Sequence, residues 1–338
     1  MLKLPQPYLL FLGDVMDRGF AKTAFGLKDW VPELCIGECV LPTCEVTTGL
    51  SRMTPAEARE RGAGSLVVGV APRGGGISPT WMPKLLEALH AGLDLVSGMH
   101  ERLNDHPELK AAAQALGRRL IDVREPPAAI PIATGVKRIG KRLLTVGTDC
   151  ALGKKYTALI LARAFKTRGV DADFRATGQT GILIAGSGIP IDAVVADFVA
   201  GAAEMLSPPA APDHWDVVEG QGSIFHPSYA GVSLGLLHGT QPDVIVLCHE
   251  VGRDRVLGLE SYSTPHLEEA IRLHLDLARR TNPAVRCAGV ALNTSRLDES
   301  RARSALEECS SLLRLPVADP MRPGAELDRL VTACLARF

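Results

Sequence analysis

Residues 143–161 read LLTVGTDCALGKKYTALIL, and this stretch constrains the fold more than any other part of the chain. An apolar run ends at Gly147, a Gly-Lys pair follows at Gly153 and Lys154, and a helical pattern then begins. In a strand, loop and helix of this kind, backbone N–H groups and the helix N-terminus surround a phosphate, and the lysine adds positive charge. We therefore predict a phosphate-binding loop; the alternative is a glycine-lysine turn without a ligand.

The loop departs from the common Walker pattern in two places. Five residues, rather than the usual four, separate Gly147 from the Gly-Lys pair. Lys155 occupies the position at which a Ser or Thr normally binds magnesium, and the first Ser or Thr on the helix is Thr157. The sequence thus predicts a phosphorylated ligand without predicting hydrolysis of a nucleoside triphosphate.

The predicted cofactor-binding residues span the loop and the first helical turn. They are Gly147, Thr148, Asp149, Cys150, Ala151, Leu152, Gly153, Lys154, Lys155, Tyr156 and Thr157. The helix N-terminus is expected to lower the pKa of the Cys150 thiol and make it reactive. The alternative is that Cys150 is a small residue packed in the loop.

Composition excludes several classes of protein. The formal net charge is -1, aromatic residues make up 4%, and no long basic run occurs, so no nucleic-acid partner is expected. No apolar run approaches the roughly 18 residues of a membrane span. Pro5 and Pro7 interrupt the N-terminal apolar run, which does not resemble a signal peptide. We expect a cytoplasmic protein that does not bind membranes and acts on a small molecule.

The cysteines favour neither a disulfide framework nor a metal centre. Eight cysteines in 338 residues are too few for a disulfide-stabilised scaffold. Cys35, Cys39 and Cys44 are close in sequence but lack the paired spacing of zinc ligands, and no histidine follows nearby. We predict no metal site.

The length suggests two domains, and two successive α/β patterns are visible. We predict a Rossmann-like parallel-sheet domain over 1–125, a proline- and alanine-rich linker over 126–140, and a P-loop NTPase-like α/β domain over 141–338. The apolar runs lack alternation, as expected of strands buried on both faces of a sheet. Ligands of such sheets bind at the carboxyl ends of the strands, which directs attention to the polar residues and glycines that follow each apolar run.

Several blocks resemble known families. GTDCALGKKYT at 147–157 resembles the loop of dethiobiotin synthetase-like P-loop proteins, and ALN at 291–293 resembles the strand end that carries their base-recognition Asn, here Asn293. ATGQTGILIAG at 176–186 and EGQGSIFHPSYAGVSLGLLHG at 219–239 resemble the DgcN-like family, two-domain P-loop proteins that were formerly of unknown function. GDVMDRGFAKTAFGL at 13–27 and GVAPRGGGISPTW at 69–81 extend this resemblance over nearly the whole chain.

The resemblance implies transfer of an acetyl group from acetyl-CoA to the amino group of an amino acid, D-glutamate, in D-amino-acid catabolism. The diphosphate or 3′-phosphate of coenzyme A suits a cup of N–H groups that lacks a magnesium-binding hydroxyl. Two alternatives stay open: an ATP- and magnesium-dependent ligase or kinase, and a nucleotide-binding regulator without catalysis. The apolar C-terminal segments leave room for a dimer, and we expect a homo-oligomer.

Amide formation from a thioester needs a base for the amine proton and donors for the developing oxyanion. The candidate bases lie at predicted strand ends or in the loops that follow: Glu219, His226 and His249. A dicarboxylate substrate needs cations and hydrogen-bond donors. The predicted substrate-binding residues are Lys22, Arg73, Gly74, Gln179, Thr180, Gln221 and Arg253. The alternatives are a helix-capping or loop-ordering carboxylate at Glu219 and solvated surface cations at Lys22, Arg73 and Arg253.

Overall fold

A computed structural model of the protein describes residues 3–70 and 76–336, which form two compact units. The first unit comprises the described residues up to Pro126 together with the segment Gly178–Pro190. The second comprises Pro127–Thr177 and the described residues from Ile191 onward. The chain therefore returns to the first unit once, through a segment that lies within the predicted P-loop half of the sequence.

The described residues form strands in two parallel sheets and one short hairpin. The strands are β1 Tyr8–Gly13, β2 Cys35–Val40, β3 Ser65–Val68, β4 Asp94–Ser97, β5 Leu120–Asp122, β6 Lys141–Gly147, β7 Ala172–Arg175, β8 Trp215–Val218, β9 Val244–Glu250, β10 Arg255–Val256, β11 Leu259–Ser263, β12 Arg286–Asn293 and β13 Val317–Ala318.

Helices cover the faces of both sheets. They are α1 Lys22–Trp30, α2 Pro55–Glu60, α3 Met82–His90, α4 Pro107–Leu116, α5 Lys154–Thr167, α6 Gln179–Ala185, α7 Val199–Leu206, α8 Ala230–Thr240, α9 Leu267–Ala278, α10 Glu299–Leu313 and α11 Ala325–Leu335. None of the helices in 3–70 and 76–336 has the length and apolar character needed to cross a bilayer.

The first unit is built on a five-stranded parallel sheet in the order β2-β1-β3-β4-β5. This is a doubly wound order, in which the sequence order of the strands reverses at β1. All six residues of β1 are buried, as expected for a central strand covered on both faces. The segment Gly178–Pro190 packs on this unit through α6, and the hydroxyl of Tyr8 donates a hydrogen bond to the carbonyl oxygen of Leu183 at 3.3 Å.

The second unit is built on a six-stranded parallel sheet in the order β13-β12-β9-β6-β8-β7. The phosphate-loop strand β6 lies centrally, where Gly147 pairs with Cys248 of β9 and Leu144 pairs with Val218 of β8. Phe165 of α5 packs edge-on against Trp215 of β8 with ring centroids 5.4 Å apart. Because the strands are parallel, the ends of β6, β8 and β9 meet at one edge of the sheet, where the phosphate loop begins.

Both predicted parallel sheets are confirmed, but four elements were not predicted: α1, α6, α8 and the β10–β11 hairpin. The three helices contain glycines, which lower helix propensity and obscure the pattern. In α8 the glycines serve packing, because a Cβ at Gly239 would lie 2.1 Å from the carbonyl oxygen of Ala200 in α7. Ahead of α8, two 3-10 turns, Ile191–Ala193 and Ala196–Phe198, lead into α7.

Residues 125–140 form neither helix nor strand, yet from Pro127 onward they belong to the second unit. The carbonyl oxygen of Pro131 lies so close to α7 that a Cβ at Gly201 would be 1.8 Å away. The N–H of Thr134 donates to Glu204, and Arg138 donates to the carbonyl oxygen of Ser207 at 2.9 Å. This segment is therefore held to the body of the second unit by specific contacts.

Candidate functional site

The loop between β6 and α5 forms a cup of backbone N–H groups. Ala151 and Gly153 have positive φ angles of 55° and 105°, which turn the chain sharply before the helix. In the described part of the chain, the N–H groups of residues 151–155 have no acceptor, and α5 has no side-chain cap. Unpaired donors at a helix N-terminus attract anions through the peptide dipoles. The unpaired N–H groups of the loop thus offer the donors that a phosphate group would need.

The side chain of Lys154 folds back across this cup. Its Nζ atom donates a hydrogen bond to the carbonyl oxygen of Asp149 at 2.7 Å, and its exposed fraction is 6%. Burial lowers the pKa of Lys154, while the surrounding acidic groups, including Asp149 and Glu219, oppose this shift. Lys154 lies where it can exchange the carbonyl oxygen for a phosphate oxygen.

Asp149 ties the loop to the β10–β11 hairpin. Its carboxylate is fully buried and accepts hydrogen bonds from the N–H of Cys150 at 2.7 Å and the N–H of Leu257 at 2.8 Å. It also accepts a hydrogen bond from the guanidinium of Arg253 at 3.2 Å. Three donors thus hold this carboxylate, and through it the loop is fixed to the hairpin and to Arg253.

Arg253 lies between two buried carboxylates. Besides Asp149 it contacts Glu250 at the end of β9, whose other oxygen is 3.0 Å from Arg296. The sequence predicted that Arg253 binds a carboxylate of the substrate. In the structure its charge is already balanced inside the protein, which is the arrangement of a positioning residue.

His249 ends β9 beside the loop. Its Nδ1 atom lies 2.8 Å from the hydroxyl of Thr148, and its Nε2 atom has no partner among the described residues. Burial and the nearby Arg253 lower the pKa of His249, with Glu250 opposing the shift. The imidazole is therefore neutral near pH 7, and if Nδ1 carries the proton, Nε2 is free to accept one.

His226 is held by both ring nitrogens. Nδ1 accepts a hydrogen bond from the N–H of Ser228 at 3.1 Å, and Nε2 lies 3.4 Å from the carbonyl oxygen of Leu257. The ring also packs on Tyr229, with centroids 4.5 Å apart. In this arrangement neither nitrogen is available to take a proton from a substrate.

Cys150 lies next to His226 and Asp149, and potential ligand atoms of the three residues lie within 4.8 Å of one another. This oxygen, sulfur and nitrogen set was not anticipated in the sequence, but the hydrogen bonds to Asp149 already use its carboxylate. Burial raises the pKa of the Cys150 thiol, although Lys154 and Arg253 oppose the shift. The expectation of a lowered pKa was wrong, because desolvation outweighs the positive charges around the loop.

Glu219 follows β8 and is also buried. Its carboxylate accepts a hydrogen bond from the N–H of Thr177 at 3.0 Å, and Gln221 donates to the hydroxyl of Thr177 at 3.0 Å. Gly220 between them has no room for a side chain, because a Cβ would lie 1.7 Å from the carbonyl oxygen of Thr145. The EGQ sequence thus brings Glu219 and Gln221 against the end of β7.

The remaining predicted cofactor residues surround the same strand ends. Asn293 ends β12, where its side-chain oxygen accepts a hydrogen bond from the N–H of Ser295 at 3.0 Å. The Nζ atom of Lys155 lies 4.4 Å from the ring centroid of Tyr156. Thr157 is buried, and its hydroxyl lies 3.6 Å from the thiol of Cys248.

Three predicted substrate residues belong to the first unit. Lys22 begins α1 and is exposed, while Gln179 and Thr180 begin α6. Gln179 lies so close to the loop after β4 that a Cβ at Gly98 would be 2.2 Å from its side-chain oxygen. Arg73 and Gly74 lie outside the described residues.

Two contributions to the site were missed. Ser223 donates a hydrogen bond to the carbonyl oxygen of Gly147 at 2.9 Å and so fixes the start of the loop. The N–H of Leu257, in the turn of the β10–β11 hairpin, donates a hydrogen bond to the carboxylate of Asp149. Ser223 falls within the residues 219–223 that the strand-end rule selects, but no role was predicted for it; the hairpin has no comparable signal.

The fold and the loop define the class of this protein: an α/β protein of two units, the second of which is a P-loop domain. The chain belongs to the DUF1611 family, since the family's C-terminal P-loop domain of unknown function matches residues 131–331. The Rossmann-like N-terminal domain of the same family, also of unknown function, matches residues 36–126.

Relatives cover nearly the whole chain. A D-glutamate N-acetyltransferase from Tritonibacter scottomollicae is 51% identical over 330 residues, covering 98% of each chain. One from a Pseudoalteromonas species is 46% identical over 325 residues, covering 96% of this chain and 98% of the relative. The crystal structure of a DUF1611 family protein from Anabaena variabilis has a TM-score of 0.85 and 33% identity, covering 98% of this chain and 99% of that one.

Proposed function

We propose that this protein is a D-glutamate N-acetyltransferase, which transfers the acetyl group of acetyl-CoA to the amino group of D-glutamate in D-amino-acid catabolism. The observation that carries the proposal is the 51% identity, over 98% of both chains, to a protein of that name. Similarity at this level across both units supports a shared reaction. A homo-oligomeric state and a cytoplasmic location complete the proposal.

The phosphate loop suits coenzyme A. The diphosphate of the cofactor would accept hydrogen bonds from the N–H groups of residues 151–155, and Lys154 would neutralise part of its charge. Acetyl-CoA supplies a thioester, which is already activated for acyl transfer. No phosphoryl transfer is needed, which fits a loop without the usual magnesium-binding hydroxyl at Lys155.

Among the three predicted bases, His249 fits the reaction best. The amine of the substrate must lose a proton as it attacks the thioester, and a neutral imidazole with a free Nε2 accepts it. This role requires the tautomer in which Nδ1 carries a proton and donates it to the hydroxyl of Thr148, 2.8 Å away. Glu219 and His226 are engaged by neighbouring groups and serve to order the loops around the site.

The test is an assay of the full chain with acetyl-CoA and each enantiomer of glutamate, in a buffer that contains magnesium but no ATP. We expect release of free coenzyme A and a product of the mass of N-acetylglutamate with the D enantiomer. A strict requirement for ATP would instead indicate a ligase or kinase. Nucleotide binding without turnover across a panel of amino acids would indicate a regulator.

A further inference from the structure

Lys155 occupies the position that normally carries the magnesium-binding hydroxyl of a P-loop. In the common arrangement, that hydroxyl and an acidic residue at a neighbouring strand end hold Mg²⁺ against the phosphates. Glu219 follows β8 and stands at such a strand end. The site thus retains the carboxylate but has an ammonium group in place of the hydroxyl.

Nearby threonines do not restore the missing ligand. Thr157 is buried, with an exposed fraction of 4%, and its hydroxyl lies 3.6 Å from the thiol of Cys248. The hydroxyl of Thr148 is engaged with Nδ1 of His249 at 2.8 Å. Both hydroxyls are directed toward the strands beneath the loop and are committed there.

The side chain of Lys155 is half-buried and lies beside Tyr156. Burial lowers the pKa of Lys155, and the attraction of Glu219 opposes the shift. The Nζ atom of Lys155 lies 4.4 Å from the centroid of the Tyr156 ring. Within 3–70 and 76–336, no carboxylate oxygen lies within the 4.0 Å of an ion pair with this atom. Unlike Arg253, Lys155 therefore has positive charge available for a ligand.

Glu219 is influenced by the positive charge of two neighbouring lysines. Both Lys154 and Lys155 are attracted to it, and its carboxylate also accepts a hydrogen bond from Thr177. A divalent cation placed here would be repelled by two half-buried or buried ammonium groups in a region of low dielectric. The same two ammonium groups attract a diphosphate.

We propose that Lys155 replaces magnesium in this P-loop, so that the loop binds the diphosphate of coenzyme A without a divalent cation. The proposal rests on the proposed function, which identifies that diphosphate as the ligand. Lys154 and Lys155 together then neutralise the diphosphate. Lys155 is thus a ligand-binding residue of the second unit.

The test is calorimetric titration of the full chain with coenzyme A, which binds without turnover, in EDTA and in excess magnesium. We expect wild-type dissociation constants within about twofold of each other. Lys155→Thr restores the common hydroxyl, and its affinity should fall about tenfold to a hundredfold in EDTA, as for loss of one charge-assisted hydrogen bond. Magnesium should then recover part of that loss.

Two variants serve as controls, and each must retain the wild-type melting temperature. Lys166→Thr changes an exposed lysine of the same helix and should bind as the wild type does. Lys155→Arg keeps the charge and should bind in EDTA with an affinity near that of the wild type. Magnesium-dependent binding by the wild type, or unchanged binding by Lys155→Thr in EDTA, would overturn the proposal.

Failure of the proposed function gives a different result. If the wild type binds ATP but not coenzyme A under either condition, the acetyltransferase assignment fails. The same titrations with ATP then test Lys155 by itself, because magnesium-independent ATP binding that Lys155→Thr abolishes would still support its role. Magnesium-dependent ATP binding would reject both proposals.

Discussion

The Nζ atom of Lys154 donates a hydrogen bond to the carbonyl oxygen of Asp149 at 2.7 Å, so the lysine of the phosphate loop closes on the loop itself. A buried ammonium group needs an acceptor, because an unpaired buried charge is costly. The carbonyl oxygen supplies one until a phosphate oxygen competes for the same donor. Lys154 is thus held in position before the ligand arrives.

Replacing Lys154 by methionine should therefore weaken cofactor binding. Lys154→Met keeps most of the apolar stem but removes the charge, and we expect the dissociation constant of coenzyme A to rise about tenfold to a hundredfold. Isothermal titration calorimetry measures this directly. Lys166→Met, at an exposed site on the same helix, is the matched control. Equal affinities of the two variants would contradict a phosphate-binding role for the loop.

His249→Gln should reduce turnover more than cofactor binding. Removal of a general base lowers kcat about 10² to 10⁴-fold. Because burial and Arg253 lower the pKa of His249, the wild-type rate should be constant around pH 7 and fall only below the ordinary histidine range. Steady-state kinetics from pH 5 to 8 test both expectations, with His90→Gln as an exposed control.

A different result for His249→Gln would mean that another residue is the general base. In acetyl-CoA the pantetheine arm separates the thioester from the diphosphate. If the diphosphate binds in the loop, His249 can act as the base only when this arm folds back and brings the thioester to it. A rise in KM for acetyl-CoA with unchanged kcat would place His249 at the phosphate end of the cofactor. The general base would then be sought elsewhere.

Much of the architecture could be predicted because it depends on local patterns. Buried parallel strands such as β1, β6 and β9 read as short apolar runs, and their carboxyl ends identify the site. The helix α8 could not be predicted from periodicity, since it is apolar on all sides and contains glycines that permit contact with α7. Its position is decided by packing between distant segments.

The site was less predictable than the fold, because its electrostatics depend on groups far apart in the chain. The sequence predicted that Arg253 is a cation available to the substrate. In the structure it pairs with Glu250 and with Asp149, which is more than 100 positions away. The pKa of the Cys150 thiol likewise depends on distant residues, because burial among them raises it. Spacing in the sequence locates such groups but does not show which charges are already balanced.

Arg253→Met should destabilise the second unit. Removing one partner of a buried ion pair costs about 3 to 5 kcal/mol. Asp149 would keep a buried charge without its cation, and Glu250 would keep only the exposed Arg296. Urea unfolding measures the loss, and Arg280→Met at an exposed position is the control. Unchanged stability together with a higher KM for D-glutamate would return Arg253 to the substrate-binding role predicted from the sequence.

Gly220→Ala should disturb both folding and the site. The added Cβ would lie 1.7 Å from the carbonyl oxygen of Thr145 and 3.1 Å from the Cδ atom of Lys154, so the backbone must shift. Overpacking of this kind costs about 1 to 3 kcal/mol. At Gly231 in α8, a Cβ would meet no described atom within 4 Å, so Gly231→Ala should stabilise the protein by about 0.5 to 1 kcal/mol. Unfolding curves that place both variants on the same side of the wild type would refute this contrast.

His214 should make the stability of the second unit depend on pH. Its Nδ1 atom lies 2.8 Å from Asp171 and its Nε2 atom 3.2 Å from Asp216. Burial alone would lower the pKa of His214, but the hydrogen bonds to the two carboxylates prevail and raise it. A raised pKa in the folded state means that the stabilisation is complete below the unfolded pKa of about 6.5 and is lost as the pH rises through the folded value.

His214→Gln should therefore cost more at pH 5.5 than at pH 9. At the lower pH the variant loses hydrogen bonds from a charged group, which are worth about 1.5 to 3 kcal/mol, whereas at the higher pH it loses only neutral contacts. Urea unfolding of wild type and variant at both pH values gives the loss of unfolding free energy at each pH. Titration of other groups affects both proteins equally and cancels in this difference. His90→Gln, at an exposed site, should show no such pH dependence. An equal loss for His214→Gln at both pH values would mean that this imidazole stays neutral between its two carboxylates.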